Sequence, residues 1–361
     1  MLKLLTIIGA RPQFIKASVL SRLVSRESQL EEVIIHTGQH FDKNMSDIFF
    51  DEMEIPKPKY NLKIQSKLHG EMTGLMMSEI EKIALKESPD CILVYGDTNS
   101  TLAGALVASK LNIKLAHVEA GLRSFNNIMP EEINRIITDR VSDILFCPSE
   151  NAILNLKKES FDHFHEKKII NTGDIMFDAS IFFSERAINN NLQLDNEFIL
   201  CTIHRAENVD NNKNLLTILE SINEIGKKIK IIFPIHPRTS SKMEVININY
   251  KKKYLNIDFI DPLGYIDMIS HIKNCNYVIT DSGGLQKEAF FMKKMCLTLR
   301  NQTEWVELVE GGYNYLCEID SDKILEANSK ILTISKSFEE NFYGVGNSGE
   351  VILNELKNYL S

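Results

Sequence analysis

Short, continuously apolar runs recur along this chain, and helix-length amphipathic stretches separate them. In the first half the runs are Leu4–Ile8, Glu32–His36, Cys91–Tyr95, Leu115–Val118, Ile144–Cys147 and Ile169–Asn171. Helical patterns such as Glu71–Leu85 and Thr101–Lys110 lie between them. Apolar strands joined by helical crossovers predict a parallel sheet covered on both faces. After about residue 175 the pattern restarts, with Phe198–Thr202, Lys230–Phe233, Ile257–Ile260, Tyr277–Thr280 and Met295–Leu299. Two sets of similar size predict an α/β protein with two doubly wound domains facing a cleft. The expected division is residues 1–174 plus 345–361, with Gly349–Leu360 as a terminal helix, and residues 175–344. A length of 361 residues suits two domains.

Composition narrows the class of partner. Lys plus Arg total 41 and Asp plus Glu 49, a formal net charge of −8. That field repels polyanions, so neither nucleic acid nor an acidic membrane surface is expected. No run approaches the ~20 apolar residues that span a bilayer. Leu2–Ile8 could pass for a short signal core, but its only basic residue is Lys3 and it runs straight into Gly9-Ala-Arg-Pro12, so it reads as a buried first strand. Six cysteines lack any C-x-x-C pair and mostly sit in apolar runs, which suggests reduced thiols and a cytoplasmic protein. Gly (17) and Pro (9) together fall well below the usual roughly 12%. Each clustered glycine therefore calls for a reason.

In open parallel sheets, ligands bind beyond the carboxyl ends of the strands. Seven segments there are unusually polar: Gly9-Ala-Arg-Pro-Gln13, His36-Thr-Gly-Gln-His40, Gly96-Asp-Thr-Asn99, Glu119-Ala-Gly-Leu-Arg123, Thr202-Ile-His-Arg-Ala-Glu-Asn208, His236-Pro-Arg238 and Asp281-Ser-Gly-Gly-Leu-Gln-Lys-Glu288. In the last, two glycines let a ligand approach the backbone, and a helix N-terminus attracts an anion. Glu288 follows one turn later on the same face and could accept hydrogen bonds from a ribose diol. Ser282 as a mere N-cap with Glu288 at the surface is the plainer alternative. Neither G-x-x-x-x-G-K-[ST] nor a strand-linked G-x-G-x-x-G occurs, so ATP hydrolysis and nicotinamide binding of the usual type are not supported. Arg11 opposes the dipole at a helix start, a misfit that an anionic ligand would explain, and Lys16 follows five residues on.

Asp97 and Glu119 each follow a short apolar run, and Glu131 and Glu132 follow Pro130 at a helix start. Capping accounts for Asp97 and dipole complementarity for Glu131 and Glu132, but Glu119 has no such structural role. Carboxylates crowded beside a diphosphate are unfavourable unless they act as acid, base or stabiliser of a cation. His204 and Arg205 follow a strand in the second half and could reach phosphates. His36, His40 and His69 invite a metal reading, but Thr37-Gly38 makes the first pair a loop, so hydrogen bonding there is favoured; neither metal nor cofactor is expected.

Together these loops resemble the non-hydrolysing UDP-N-acetylglucosamine 2-epimerase family. The matching stretches are Gly9-Ala-Arg-Pro-Gln-Phe-Ile-Lys16, Thr37-Gly-Gln-His40, Gly96-Asp97-Thr98, His117-Val-Glu-Ala-Gly-Leu-Arg123, Pro130-Glu-Glu132, His204-Arg205 and Asp281-Ser-Gly-Gly-Leu-Gln-Lys-Glu288, in order over nearly the whole chain. The resemblance implies two Rossmann-like domains arranged as in GT-B glycosyltransferases, a C-terminal helix returning to the first domain, a homodimer, and a UDP-sugar substrate. It assigns catalysis to Asp97, Glu119, Glu131 and His204. It assigns substrate contacts to Arg11, Lys16, Gln39, His40, Arg123, Arg205, His236, Ser282, Gly283, Gly284, Glu288 and Arg300. Two departures stand out. Arg11-Pro-Gln13 replaces the Arg-Pro-Glu of the best-known members, and Thr303-Glu-Trp-Val-Glu307 replaces their Thr-Glu-Arg-Pro-Glu. With Arg123-Ser-Phe-Asn126, these resemble the branch acting on UDP-2,3-diacetamido-2,3-dideoxyglucuronic acid. Some members bind a second UDP-N-acetylglucosamine near the loop after Gln39, and His40-Phe-Asp-Lys-Asn-Met45 departs from their pattern.

The function implied is C2 epimerisation of a UDP-2-acetamido sugar, in surface polysaccharide precursor synthesis. No carbonyl adjoins the sugar C2–H, so direct proton removal is implausible. Elimination of UDP makes C1 oxocarbenium-like and C2–H acidic, giving a 2-acetamidoglucal; reprotonation from the opposite face with return of UDP gives the epimer. The rivals are a retaining glycosyltransferase of the same fold, a hydrolysing epimerase and a non-catalytic sugar-nucleotide sensor.

Overall fold

The computed structural model describes residues 1–39, 50, 53–65, 67–163, 166–187 and 197–360. Leu2–Ile8 (β1), Leu30–His36 (β2), Tyr60–Asn61 (β3), Cys91–Tyr95 (β4), Lys114–Val118 (β5), Ile144–Cys147 (β6) and Lys168–Asn171 (β7) form a sheet in the order β3-β2-β1-β4-β5-β6-β7. Phe198–Thr202 (β8), Lys230–Pro234 (β9), Ile257–Ile260 (β10), Tyr277–Thr280 (β11), Met295–Thr298 (β12) and Asn314–Leu316 (β13) form a second, in the order β10-β9-β8-β11-β12-β13. Every strand pair is parallel. The apolar runs explain this. All residues of β4, β6, β8, β11 and β12 are buried, and only helices on both faces can cover such strands. The fold is thus α/β with two doubly wound parallel sheets, as the alternation predicts. β3 and β13 are additions at sheet edges, of two and three residues, too short to show as apolar runs.

The chain divides into two compact units, Met1–Ala179 with Asn341–Ser361, and Ser180–Glu340. In the first, β1, β2, β4 and β5 pack on helices His69–Glu87 and Asn99–Leu111 through side chains such as Ile7, Ile35, Met76, Ile80 and Val94. Helix Ser348–Leu360 belongs to this unit and packs on helix Arg11–Val24. Gly349 permits the approach: a Cβ there would lie 2.6 Å from Val19 Cγ1. In the second unit, Ile199, Cys201, Phe233, Ile257 and Ile279 form the centre of the core with helix Asn212–Ile225. The six cysteines are buried and unpaired. Among the described residues, no helix is long and apolar enough to cross a membrane.

Strand order reverses once in each sheet, between β1 and β4 and between β8 and β11. At such switch points neighbouring loops diverge and leave a crevice beyond the strand ends. The β1 and β4 loops carry Arg11 and Asp97; the β8 and β11 loops carry His204 and Ser282.

Candidate active site

In the first unit, Gln13 organises the switch point. Its Oε1 accepts from the N–H groups of Gly9 (2.8 Å) and Ala10 (3.0 Å), and its Nε2 donates to the Tyr95 carbonyl (2.9 Å) and Thr101 Oγ1 (3.0 Å). It thereby caps helix Arg11–Val24 and ties it to the end of β4. Arg11 opens that helix, and Lys16, buried one turn on, forms an ion pair with Glu119. Gly96, at φ +65°, leaves space for the pair, since a Cβ there would stand 3.2 Å from Lys16 Nζ and 3.3 Å from Glu119 Oε2. Glu119 itself sits at φ +73°, a left-handed conformation that non-glycine residues seldom adopt.

Asp97 receives Arg135 Nη1 at 2.5 Å. The same guanidinium donates to Glu132 Oε2 through Nε (2.9 Å) and Nη2 (2.7 Å). Burial pushes the Asp97 carboxyl above the ordinary range; Arg135 and Lys16 pull it back, and Glu119 and Glu131 push it further up. Asp97, Glu119 and Glu131 therefore share one field, with Glu131 exposed at the start of helix Pro130–Val141 and Glu132 buried. Burial raises Glu132 too, but the N–H groups of Ser124 and Phe125 together with Arg135 outweigh it and hold the carboxyl low.

Three expected substrate contacts have protein partners here. Arg123 is the most fully engaged of them. Its side chain is 1% exposed; Nη1 donates to Asp139 Oδ2 (2.7 Å), while Nε and Nη2 meet Glu159 at 2.6 and 2.9 Å. That fork is engaged by two carboxylates, so Arg123 braces the loop. Lys16 is paired with Glu119, and Gln39 Oε1 accepts from Ser100 N (3.1 Å) and Oγ (2.8 Å). His40, with the loop to Met45, lies outside the described residues. His36 Nδ1 accepts from Gly38 N (2.9 Å) and His69 Nδ1 lies 3.1 Å from Asn99 Nδ2. Among the described residues, no three His, Cys, Asp or Glu side chains are grouped to hold a metal ion.

In the second unit, buried Asp281 draws the β8 loop onto β11. Its carboxylate accepts from the N–H of His204 (3.0 Å), the N–H of Arg205 (3.0 Å) and Asn208 Nδ2 (3.1 Å). Burial lowers the His204 pKa, and Asp281 partly opposes it. The His236 ring lies 5.3 Å from that of His204 and caps helix Pro237–Val245 through Arg238 N. Ser282 is the N-cap of helix Gly283–Phe291, its Oγ accepting from Leu285 N at 3.5 Å. A Cβ on Gly284 would meet nothing within 4 Å, so the backbone there faces open space. Glu288 is buried in the helix's second turn.

Sequence reasoning missed the roles of Arg135, Asp139 and Glu304, and read Glu132 only as a complement to the helix dipole. Glu304 Oε2 takes Arg300 Nη1 at 3.2 Å, and its Oε1 lies 4.0 Å from Arg205 Nη2. A Cβ on Gly283 would stand 2.4 Å from Glu304 Oε1. A carboxylate thus rests against the first residue of the helix, beside two arginines. Trp305 Nε1 donates to the Gly283 carbonyl (2.9 Å), and Lys287 Nζ sits 4.0 Å over the Trp305 ring. The departure Thr303-Glu-Trp-Val-Glu307 was the signal to follow. Chemically, the first unit offers crowded carboxylates, Asp97 shifted upward and Glu132 downward, and the second offers a glycine-flanked helix N-terminus with arginines.

Comparison with known proteins agrees. The model of the family described as UDP-N-acetylglucosamine 2-epimerase matches residues 22–357. The UDP-2,3-diacetamido-2,3-dideoxy-D-glucuronate 2-epimerase of Pseudomonas aeruginosa is 52% identical over 353 residues, 97% of this chain and 98% of that one. A UDP-N-acetylglucosamine 2-epimerase homolog of Methanococcus maripaludis is 50% identical over 99% of this chain and 100% of its own. The crystal structure of the Methanocaldococcus jannaschii UDP-GlcNAc 2-epimerase, in complex with UDP-GlcNAc and UDP, superimposes with a TM-score of 0.90 at 45% identity, covering 99% of this chain and 100% of that one. The fold is accordingly GT-B-like, built of Rossmann-like units. The chain belongs to the UDP-N-acetylglucosamine 2-epimerase family, and it is an isomerase.

Proposed function

We propose that the protein epimerises C2 of a UDP-2-acetamido sugar, of the UDP-N-acetylglucosamine to UDP-N-acetylmannosamine type, without net hydrolysis. The observation that carries this reading is the group Asp97, Glu119 and Glu131 beside Arg135 and Lys16 at the β1/β4 switch point. The C1–O bond to UDP breaks with its electron pair leaving on the diphosphate, and C1 becomes oxocarbenium-like. A carboxylate of this group then takes the C2 proton, giving a 2-acetamidoglucal and UDP. An acid on the other face returns a proton to C2 as UDP re-adds at C1. Nearby carboxylates lower the cost of the cationic centre, and burial, with Glu119 and Glu131 adding to it, makes Asp97 hold a proton more readily than an ordinary acid. Helix Gly283–Phe291, with Arg205 and Arg300, is the anchor for the departing diphosphate, Glu288 for the ribose, and His204 and Arg11 for phosphate oxygens.

A second reading concerns the sugar. The 52% identity to the Pseudomonas enzyme, with Gln13 and Trp305 in place of the more usual Glu and Arg, favours UDP-2,3-diacetamido-2,3-dideoxyglucuronic acid in the same reaction. Either product would feed surface polysaccharide synthesis. We place the enzyme in the cytoplasm as a homodimer; six buried, unpaired thiols support a reducing compartment. The test is NMR of the purified protein with each UDP-sugar in heavy water. Deuterium entering C2 of both epimers is the expected result. Epimer with unexchanged C2–H, or transfer of the sugar to an acceptor, would refute the elimination route. Release of free sugar would make it a hydrolase.

A further inference from the structure

Asp139, on helix Pro130–Val141, is fully buried and belongs to no substrate contact proposed above. Its Oδ1 lies 2.7 Å from His117 Nδ1, and its Oδ2 accepts from Gly121 N (3.1 Å) and Arg123 Nη1 (2.7 Å). The far side of the His117 ring completes the chain, with Nε2 2.8 Å from the Gly96 carbonyl. Gly96 precedes Asp97, and Gly121 follows Glu119 by two residues. One carboxylate therefore joins the two loops that carry the candidate acids.

Both loops are strained or specially shaped at these points. Gly96, Glu119 and Gly121 have φ of +65°, +73° and +81°. A side chain at a left-handed position costs on the order of 1–2 kcal/mol and persists only where its surroundings over-determine it. Here the surroundings are identifiable. Glu119 N and Ala120 N both donate to the Phe146 carbonyl (3.1 and 3.0 Å), and Asp139 holds the next residue, Gly121. Stability alone is a weak reason for such a network, because well-packed apolar side chains replace buried ion clusters without loss in many proteins. What apolar side chains could not do is fix a carbonyl and an N–H on two separate loops.

We propose that Asp139 is a positioning residue. Through His117 it sets the β4 loop with Asp97, and through Gly121 and Arg123 it sets the β5 loop with Glu119, so that the two acids keep their spacing. The proposal rests on the acid assignment under Proposed function. It predicts a loss in the chemical step with little change in binding, since a displacement of about 1 Å can cost on the order of 100-fold in rate.

The test compares full-length D139N, H117Q and E119Q with the wild type, measuring kcat and KM for the turned-over UDP-sugar, the Kd of UDP, and thermal melting. H117Q takes away the ring that bridges Asp139 to the Gly96 carbonyl and leaves Asp139 on Gly121 N and Arg123. The expected result is a fall in kcat of about 100-fold in both clasp variants, with KM and the UDP Kd within about threefold of wild type. Folded clasp variants that keep kcat within threefold would overturn the proposal. So would parallel losses in kcat, KM and melting temperature, or two variants that both fail to fold, since the clasp would then be a folding element. E119Q separates the levels: full turnover in E119Q refutes the acid assignment itself, whereas an inactive E119Q beside an active D139N refutes the positioning role alone.

Discussion

Arg135→Gln removes the one guanidinium that serves both Asp97 and Glu132. The side chain is 7% exposed and serves two carboxylates, Asp97 at 2.5 Å and Glu132 at 2.7 Å, the latter only 1% exposed. Removing one partner of a buried pair costs about 3–5 kcal/mol, because the other charge is left unpaired. Glu132 would keep the Ser124 and Phe125 N–H groups, the latter at 2.8 Å, which sets the lower end, about 3 kcal/mol. For a unit of about 200 residues, at roughly 2–4 °C per kcal/mol, the melting transition should fall by about 6–12 °C. The pH dependence has a definite sign. Glu132 titrates below its ordinary 4.5 in the folded protein, so its contribution is present above that value and is lost as pH falls through the lowered one. Asp97 titrates above its ordinary 3.8, so it withdraws stability as pH rises through its raised value, and more so without Arg135. Both effects make the penalty larger at pH 8 than at pH 4. Arg135 is also the strongest group pulling Asp97 down, so the acid limb of kcat/KM should move to higher pH in the variant. Calorimetry at both pH values and a pH–rate profile read these outcomes. A variant that melts within 2 °C of wild type at pH 8, or that loses more at pH 4, refutes the reasoning.

Three further substitutions test other parts of the structure. Gly121→Ala would put a Cβ 2.5 Å from the Ala152 carbonyl at φ +81°, and urea melts should show a loss of about 2–5 kcal/mol; less than about 1 would contradict the geometry. Glu304→Gln removes the carboxylate seated between Arg205, Arg300 and Gly283, so UDP should bind about 5–30-fold tighter by calorimetry, equivalent to roughly 1–2 kcal/mol, and weaker binding would refute competition. Gln13→Glu sets a carboxylate against the Tyr95 carbonyl and should cost about 1–3 kcal/mol at pH 8, and less at pH 5, where a protonated acid can donate again; equal stability at pH 8 would count against the cap.

The strands were legible because their burial is nearly complete and their periodicity is uniform. Cys91–Tyr95, Ile144–Cys147, Phe198–Thr202, Ile257–Ile260 and Tyr277–Thr280 have the bounds expected from the apolar runs. Some local chemistry was legible too: Ser282 caps its helix, as the plainer alternative had it, and Arg11 does stand at a helix start. What could not be read was the partner of each charge. Arg123 lies in a loop beside Glu119, and nothing local distinguishes a phosphate clamp from a brace; its partners, Asp139 and Glu159, lie 16 and 36 residues on. Arg135 was hidden in the same way, its Asp97 partner being 38 residues back.

Those pairings also change how the net charge bears on ligand binding. A chain at −8 cannot draw in a nucleotide diphosphate by its overall field, and its cations are not simply waiting for one. Lys16 holds Glu119, Arg135 holds Asp97 and Glu132, Arg123 holds Asp139 and Glu159, and Arg205 and Arg300 flank Glu304. In the proposed function, then, a phosphate arriving at Gly283 meets arginines already engaged with a carboxylate. Affinity there is a difference between two anions competing for the same donors, and Glu304 lowers it. For a reaction that must release UDP from C1, hold it through the glucal and then return it, that balance matters: a phosphate bound too tightly would stay on the protein, and one bound too weakly would be lost before the sugar is rebuilt.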